Sequence, residues 1–308
     1  MQLSVVTTLY KSEKFLEKFI TEIQNAISLI NISDYELIFV NDGSPDNSLE
    51  FLITKKKEIS AIKIIDLSRN FGHHYAIQTG LSIAKGDYIF LIDNDLETPP
   101  IFLKDCYEMM QSNSNIDVVY GYQEKRKGKF FENYGGKIFW WTLNKFSDIE
   151  IPKNMLTERL MTKDYVEKLL TLGDANLFLA GMMQWTGYHQ IGLKVIRKER
   201  QGKSTYSPFK RIELMIQAIT SFSGKPLEYL FYSGLFTTFM SILFILYLIV
   251  KKIIYGNQIQ IGYTSVLSIS LLILGIISTF LGLIGIYIFK IFRQVQNRPN
   301  TIIKKIHE

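Results

Sequence analysis

Tyr88-Ile89-Phe90-Leu91-Ile92-Asp93-Asn94-Asp95-Leu96-Glu97-Thr98-Pro99-Pro100 is an apolar run that stops abruptly at three carboxylates and then two prolines. The run Tyr88–Ile92 has no polar alternation, so it reads as a strand covered on both faces. Pro99 and Pro100 suit the first turn of a following helix, where a missing N–H costs nothing. Three carboxylates packed so closely repel one another unless a cation or a hydrogen-bond donor sits among them. Their oxygens suit Mg²⁺ or Mn²⁺, ions that commonly bridge protein carboxylates to substrate phosphates. The same residues would also serve as an acidic loop capping the next helix.

Strand and helix signals alternate outward from this point. Leu3–Thr8, Tyr35–Val40, Ile62–Leu67 and Val118–Tyr120 read as further strands. Phe15–Leu29, with Phe15, Phe19, Ile23, Ala26 and Ile27 at helical spacing, reads as a helix, as do Leu49–Ile59 and His74–Ala84. Near-continuous apolar strands interleaved with helices predict an α/β fold with a mainly parallel sheet and helices on both faces. Ligands of such sheets gather at the carboxyl ends of the strands. Those ends carry Thr7-Thr8-Leu9-Tyr10, Asn41-Asp42-Gly43-Ser44 and Asp93-Asn94-Asp95, a polar and acidic edge suited to a nucleotide.

The composition changes near residue 226. Leu227–Val250 holds one charge, Glu228, and Ser265–Phe289 holds none. Each is longer than the roughly 20 residues needed to cross a hydrocarbon core, so two C-terminal transmembrane helices are expected. Lys203, Lys210, Arg211 and Lys225 precede the first run, and Lys290, Arg293, Arg298, Lys304 and Lys305 follow the second. The connecting segment carries Lys251 and Lys252. The positive-inside rule then places the large N-terminal domain and both termini in the cytoplasm, with the chain in a bacterial inner or plasma membrane. The expected division is a catalytic domain over 1–226, two spans over 227–292 (about 227–250 and 265–289) and a basic tail over 293–308. Interfacial helices are expected near 130–145, where Phe139, Trp140 and Trp141 lie, and near 208–222. The single Cys106 excludes an intrachain disulfide. The N-terminus shows no secretory leader, and the net charge of +6 suits phosphorylated ligands or an anionic membrane. No nucleic-acid-binding signature accompanies that charge.

The motifs carry a more specific likeness. Val5-Val6-Thr7-Thr8-Leu9-Tyr10, Val40-Asn41-Asp42-Gly43-Ser44-Pro45-Asp46-Asn47-Ser48, Ser68-Arg69-Asn70-Phe71-Gly72-His73 and Asp93–Pro100 occur in order. Gly202-Lys203-Ser204-Thr205-Tyr206, Ser221-Phe222-Ser223, Gly282–Tyr287 and Asn297-Arg298-Pro299 follow. In these segments the chain resembles the family 2 glycosyltransferases of GT-A fold, within them the dolichyl-phosphate mannose synthase-like and bacterial polyprenyl-phosphate glycosyltransferases. The resemblance implies a Rossmann-like catalytic domain that uses Mg²⁺ or Mn²⁺. It implies inverting transfer of a sugar from a nucleotide-diphosphate sugar, UDP-hexose first, to polyprenyl phosphate for cell-surface glycan biosynthesis. Addition of sugar to a hydroxyl of a lipid-linked glycan is the alternative.

The resemblance also implies residue roles. Asp95, Arg159 and Arg200 would be catalytic, and Thr8, Tyr10, Asp42, Asn70, Asp93 and Asn94 would bind the nucleotide-sugar, with Asp42 accepting from the base. Asp93, Asp95 and Glu97 would hold the metal. Arg197, Arg200, Lys203 and Ser204 would meet the diphosphate or the lipid phosphate; Arg200 is favoured by order, and Arg197 competes by spacing. The partners would be the sugar donor, the polyprenyl phosphate and the bilayer, and a homo-oligomer is admitted.

One departure bears on mechanism. Thr157 stands where the family has an Asp that could serve as a base, with Glu158 adjacent. A phosphomonoester, with a second pKa of about 6, arrives largely ionised and needs no strong base, unlike a sugar hydroxyl. A lipid-phosphate acceptor therefore fits this chain better. Thr157→Ala is expected to keep its turnover and a pH–rate profile lacking an essential carboxylate base; loss of activity in that variant would contradict the reading.

Overall fold

The computed structural model describes residues 1–124, 152, 154–175, 177–197, 225–255 and 263–308. The strands are β1 (Leu3–Leu9), β2 (Tyr35–Asn41), β3 (Ile62–Leu67), β4 (Tyr88–Leu91), β5 (Val118–Tyr122), β6 (Met155–Thr162), β7 (Gln190–Lys194) and β8 (Ile303–His307). The helices are α1 (Glu13–Leu29), α2 (Ser48–Lys56), α3 (His73–Ile83), α4 (Phe102–Ser112), α5 (Lys163–Thr171), α6 (Leu179–Trp185), α7 (Lys225–Tyr255) and α8 (Tyr263–Val295).

The expected α/β class is what the chain adopts. The strands form one sheet in the order β7-β5-β6-β4-β1-β2-β3-β8. The central pairs β4-β1, β1-β2 and β2-β3 are parallel. The flanks are mixed: β6 runs antiparallel to both β4 and β5, whereas β7 is parallel to β5. The sheet is therefore less uniformly parallel than its apolar strands suggest.

Side chains alternate across the strands and build two cores. Val5, Leu37, Phe39, Ile64, Phe90 and Leu160 pack with Phe19 and Ile23 of α1 and with Leu103 and Cys106 of α4. Val6, Ile38, Val40, Ile65, Leu91 and Met161 pack with Ala76 and Ile77 of α3, Tyr165 of α5 and Met182 of α6. Both faces are covered, which is why the strands lack polar alternation. Full burial of one such side chain contributes about 1.5–3 kcal/mol, so each layer is held to the sheet by many residues.

The C-terminal segment departs from the expected basic tail. Residues 303–307 form β8, antiparallel to β3. The Ser68 N–H donates to the Ile302 carbonyl at 2.9 Å, and Lys304 lies 3.7 Å from Asp66. The physical reason is the open edge of β3, whose unpaired backbone groups are satisfied by the returning chain. Gln294, at the end of α8, brackets the turn after α5: its Oε1 accepts from the Ala175 N–H at 2.8 Å, and its Nε2 donates to the Gly173 carbonyl at 3.1 Å.

The expected transmembrane helices require correction. Both apolar runs are helical, as α7 and α8. Among the described residues, however, no helix is long and apolar enough to cross a membrane. The apolar run of α8 continues within the same helix into Lys290 and Arg293. The helices expected at 130–145 and 208–222 lie outside the described residues.

Close packing of α3 on the sheet depends on Gly80. A Cβ there would sit 2.5 Å from Val6 Cγ1 and 2.9 Å from Val40 Cγ2. Gly80→Ala is expected to lower stability by about 1–3 kcal/mol through overpacking, read as a reduced melting temperature.

Candidate active site

The sheet delivers its chemistry at the carboxyl end of β4. Asn94 is buried, and its Nδ2 donates to the Thr8 carbonyl at 2.7 Å, tying the exit of β4 to the end of β1. Asp95 Oδ1 accepts from the Glu97 N–H at 2.9 Å, closing a local side-chain turn. Leu96, between them, adopts a left-handed φ of 60°. The loop that presents the acidic residues is thus held by side chain and backbone together.

Arg197, beyond the end of β7, crosses to this loop. Its Nη2 donates to Glu158 Oε1 at 2.9 Å, its Nε donates to Thr98 Oγ1 at 3.2 Å, and its Nη1 lies 3.3 Å from Glu97 Oε2. Thr98 Oγ1 in turn donates to Glu158 Oε1 at 2.7 Å. Glu158 is fully buried, and its other oxygen, Oε2, has no hydrogen-bond partner. Burial, with the Glu158 and Asp95 carboxylates beside it, pushes the Asp93 carboxyl up to about 8. His73 lies against the same group, with Nδ1 3.0 Å from Thr8 Oγ1 and Nε2 3.6 Å from Asp93 Oδ1. Burial and the neighbouring His74 push His73 down to about 4, so its contact with Asp93 is not an ion pair at neutral pH.

Among the described residues no group of three or more His, Cys, Asp or Glu is arranged to hold a metal ion. Of the expected Asp93, Asp95 and Glu97, Glu97 lies against Arg197. Asp93 and Asp95 are a two-carboxylate, oxygen-only set beside it. That donor chemistry fits a hard divalent cation whose remaining ligands are phosphate oxygens and water.

The loops after β2 and β3 form the neighbouring wall. Asp42, buried, accepts from the Phe71 N–H at 2.7 Å on Oδ1 and from the Gly72 N–H at 3.0 Å on Oδ2. Burial holds its carboxyl above the usual range even though both N–H groups favour the charge. Asp42 therefore shapes the 69–73 loop, and both of its oxygens are committed to backbone. Gly43 has φ +61°, and a Cβ on it would lie 2.5 Å from the Asn70 nitrogen, so only glycine lets the two loops touch. Asn41 Nδ2 donates to Asp66 Oδ1 at 2.8 Å. Asp46 accepts from the hydroxyls of Ser44 and Ser48; although burial opposes it, these and backbone donors bring its carboxyl down to about 2. Asn70 and Tyr10 are exposed on this wall, with Tyr10 at 50% and Lys11 Nζ 5.6 Å from its ring centre.

Of the expected site residues, Thr8, Asp93, Asn94, Asp95, Glu97 and Arg197 are linked by these contacts. Arg159 is not among them. It shares a sheet face with Met161, is buried, and donates from Nε to the Thr157 carbonyl at 3.0 Å and from Nη2 to the Leu156 carbonyl at 2.9 Å. These two contacts satisfy backbone carbonyls inside the fold. Arg200, Lys203 and Ser204 lie outside the described residues. Glu158 was not expected as a site residue. Adjacent Glu158-Arg159 within the apolar strand LTERLM was the available signal, because a buried charge in a strand demands a partner. Period-two alternation turns Thr157 and Arg159 to one face and Glu158 to the other, toward the acidic loop. Asp42→Asn would replace an acceptor with an N–H donor facing a backbone N–H. It is expected to cost about 1–3 kcal/mol and to weaken nucleotide binding, measured by thermal unfolding and calorimetry.

The family model for glycosyl transferase family 2 matches residues 4–170. The chain is 39% identical over 308 residues to a protein of Mycobacterium tuberculosis (strain CDC 1551 / Oshkosh) described as putative glycosyltransferases, covering 100% of this chain and 89% of that one. It is 30% identical over 309 residues to the SfII prophage-derived bactoprenol glucosyl transferase of Shigella flexneri, covering 100% of this chain and 99% of that one. Among solved structures, S. aureus TarS 1-349 in complex with UDP-GlcNAc aligns at a TM-score of 0.46 and 18% identity, over 72% of this chain and 66% of that chain. The family match runs from β1 into α5, taking in the acidic loop, Asp42 and Glu158, and whole-length relatives carry it to the chain's end: this chain belongs to glycosyl transferase family 2 and is a glycosyltransferase.

Proposed function

We propose that the enzyme transfers a hexose, with inversion, from a nucleoside-diphosphate sugar to polyprenyl phosphate. The observation that carries the reading is the acidic exit of β4 facing the Arg197 guanidinium across Glu97 and Glu158. Clustered carboxylates beside a guanidinium suit a divalent ion and a diphosphate arriving together. Whole-length likeness to a bactoprenol glucosyl transferase supports the acceptor class and makes UDP-glucose the first donor to test.

In this reading Asp93 and Asp95 would hold Mg²⁺ or Mn²⁺, which when bound would supply Lewis-acid stabilisation of the charge on the diphosphate. Arg197 offers a fork of N–H donors to the same phosphates. Tyr10, exposed at the end of β1, offers a ring face to the nucleobase, while Asp42 keeps the 69–73 loop in shape around it. A lipid-phosphate oxygen attacks the anomeric carbon from the face opposite the leaving group, and its own ionisation removes the need for a base.

The acceptor is confined to a bilayer, so the enzyme works at a membrane surface. Phe231, Tyr232 and Phe236 of α7 and Leu281, Ile288 and Phe292 of α8 are exposed apolar side chains suited to lipid contact. Holding catalyst and acceptor at one surface raises the effective concentration of the acceptor.

The full chain in polyprenyl-phosphate vesicles with labelled UDP-glucose and Mg²⁺ or Mn²⁺ is expected to yield a mild-acid-labile lipid monophosphate sugar. Asp95→Asn is expected to lose about 10²-fold or more in kcat. An elongated oligosaccharide product, or undiminished turnover in Asp95→Asn, would overturn the proposal.

A further inference from the structure

The three contacts of Arg197 are unequal. Its Nε and Nη2, on one edge of the guanidinium, meet Thr98 at 3.2 Å and Glu158 at 2.9 Å. Its Nη1 meets Glu97 at 3.3 Å. Glu158 is 0% exposed and Thr98 is 0% exposed, whereas the Glu97 side chain retains 15% exposure. Glu158 is also short of donors: Oε1 accepts from both Thr98 and Arg197, and Oε2 has none. Taking Arg197 away from Glu158 would leave a buried carboxylate uncompensated, which is strongly unfavourable. Taking it away from Glu97 replaces one carboxylate oxygen by whatever anion displaces it. An anionic diphosphate oxygen accepts from the same fork of donors, so that exchange keeps charge and hydrogen bonding balanced.

Resting on the proposed diphosphate donor, we propose that Arg197 is a two-position arm: Glu158, with Thr98, is its fixed positioning residue, and Glu97 is a stand-in that yields its place to the donor diphosphate. Glu97 then acts as a built-in competitor for the arginine, and Glu158 fixes the side chain from which the arginine reaches. The two glutamates, close together and both paired to one cation, should respond to neutralisation in opposite directions. A purely structural cluster would weaken in the same direction at both, and a metal-ligating Glu97 would lose nucleotide affinity when neutralised.

The test uses the full chain, UDP and GDP as calorimetric probes in the presence of Mg²⁺, and steady-state transfer to polyprenyl phosphate. Glu97→Gln is expected to bind the diphosphate several-fold more tightly and to lower the donor KM. Glu158→Gln is expected to lower kcat by about tenfold to a hundredfold, as a misplaced guanidinium does, with weaker diphosphate binding. In an Arg197→Lys background the gain from Glu97→Gln should vanish, because an ammonium cannot span both partners. Thr98→Val, which removes only the bridging hydroxyl, should follow Glu158→Gln in milder form and carries the test if Glu158→Gln does not fold. Weaker binding in Glu97→Gln, or kcat within twofold of the parent in both Glu158→Gln and Thr98→Val, would overturn the inference while parental turnover still upholds the proposed function. A parent that neither binds diphosphate nor transfers sugar would bring down both.

Discussion

Asp93, Asp95, Glu97 and Glu158 gather around the guanidinium of Arg197, and this concentration of charge is the constraint on which this end of the molecule depends. Like charges a few ångströms apart and partly removed from water are costly unless a counter-charge is present or a proton is taken up. The upward shift of Asp93 expresses that cost in the unliganded protein. A cation and a phosphate entering together would relieve it: the cation answers the carboxylates, and the phosphate answers the arginine that the cation makes less necessary. On the proposed reading, the acidic loop suits a ligand that carries both signs.

Such a site needs a rigid mount. β4 lies between β1 and β6 and is buried on both faces, so its exit cannot drift without disturbing two cores. Asn94 adds a side-chain bond to the end of β1, and Glu158 comes from the antiparallel neighbour β6, one residue before the Leu91↔Arg159 register pair. Three strands therefore fix the relative positions of Asn94, Thr8 and Glu158. On the far side, β8 covers the edge of β3 and draws the end of α8 onto the domain. Whatever surface α8 meets is mechanically linked to the strand that leads into the 68–73 loop.

Much of this was legible in the residue order, and the part that was not has a physical cause. Apolar runs without alternation revealed strands covered on both faces, and the carboxylates after Ile92 marked the site because nothing about solvation explains them there. Glu158 was harder to read than Arg159, because only the side-chain alternation of β6 shows that Glu158 points toward the acidic loop while Arg159 points away. β8 was missed because a short lysine-rich segment gains strand structure only from an open edge elsewhere, a long-range pairing with no local signature. The apolar runs of α7 and α8 were legible as helices, but length and composition alone overstated what the described residues support. The contact of Arg197 with the acidic loop depends on how far β7 carries the chain toward β4, a distance that spacing in sequence does not encode.

The position of Glu158 also bears on the acceptor. A carboxylate in this place would ordinarily be the first candidate for a general base. A base must have a free oxygen within reach of the attacking hydroxyl. Here Oε1 is taken by Thr98 and Arg197, and Oε2 is enclosed. Freeing Glu158 would detach the arginine that the departing diphosphate needs, so one group cannot serve both tasks in the same turnover. An acceptor that brings its own negative charge removes the conflict. The chemistry of the lipid phosphate and the commitment of Glu158 to Arg197 are, on the proposed reading, two sides of one design: the carboxylate is spent on positioning because the nucleophile requires no deprotonation.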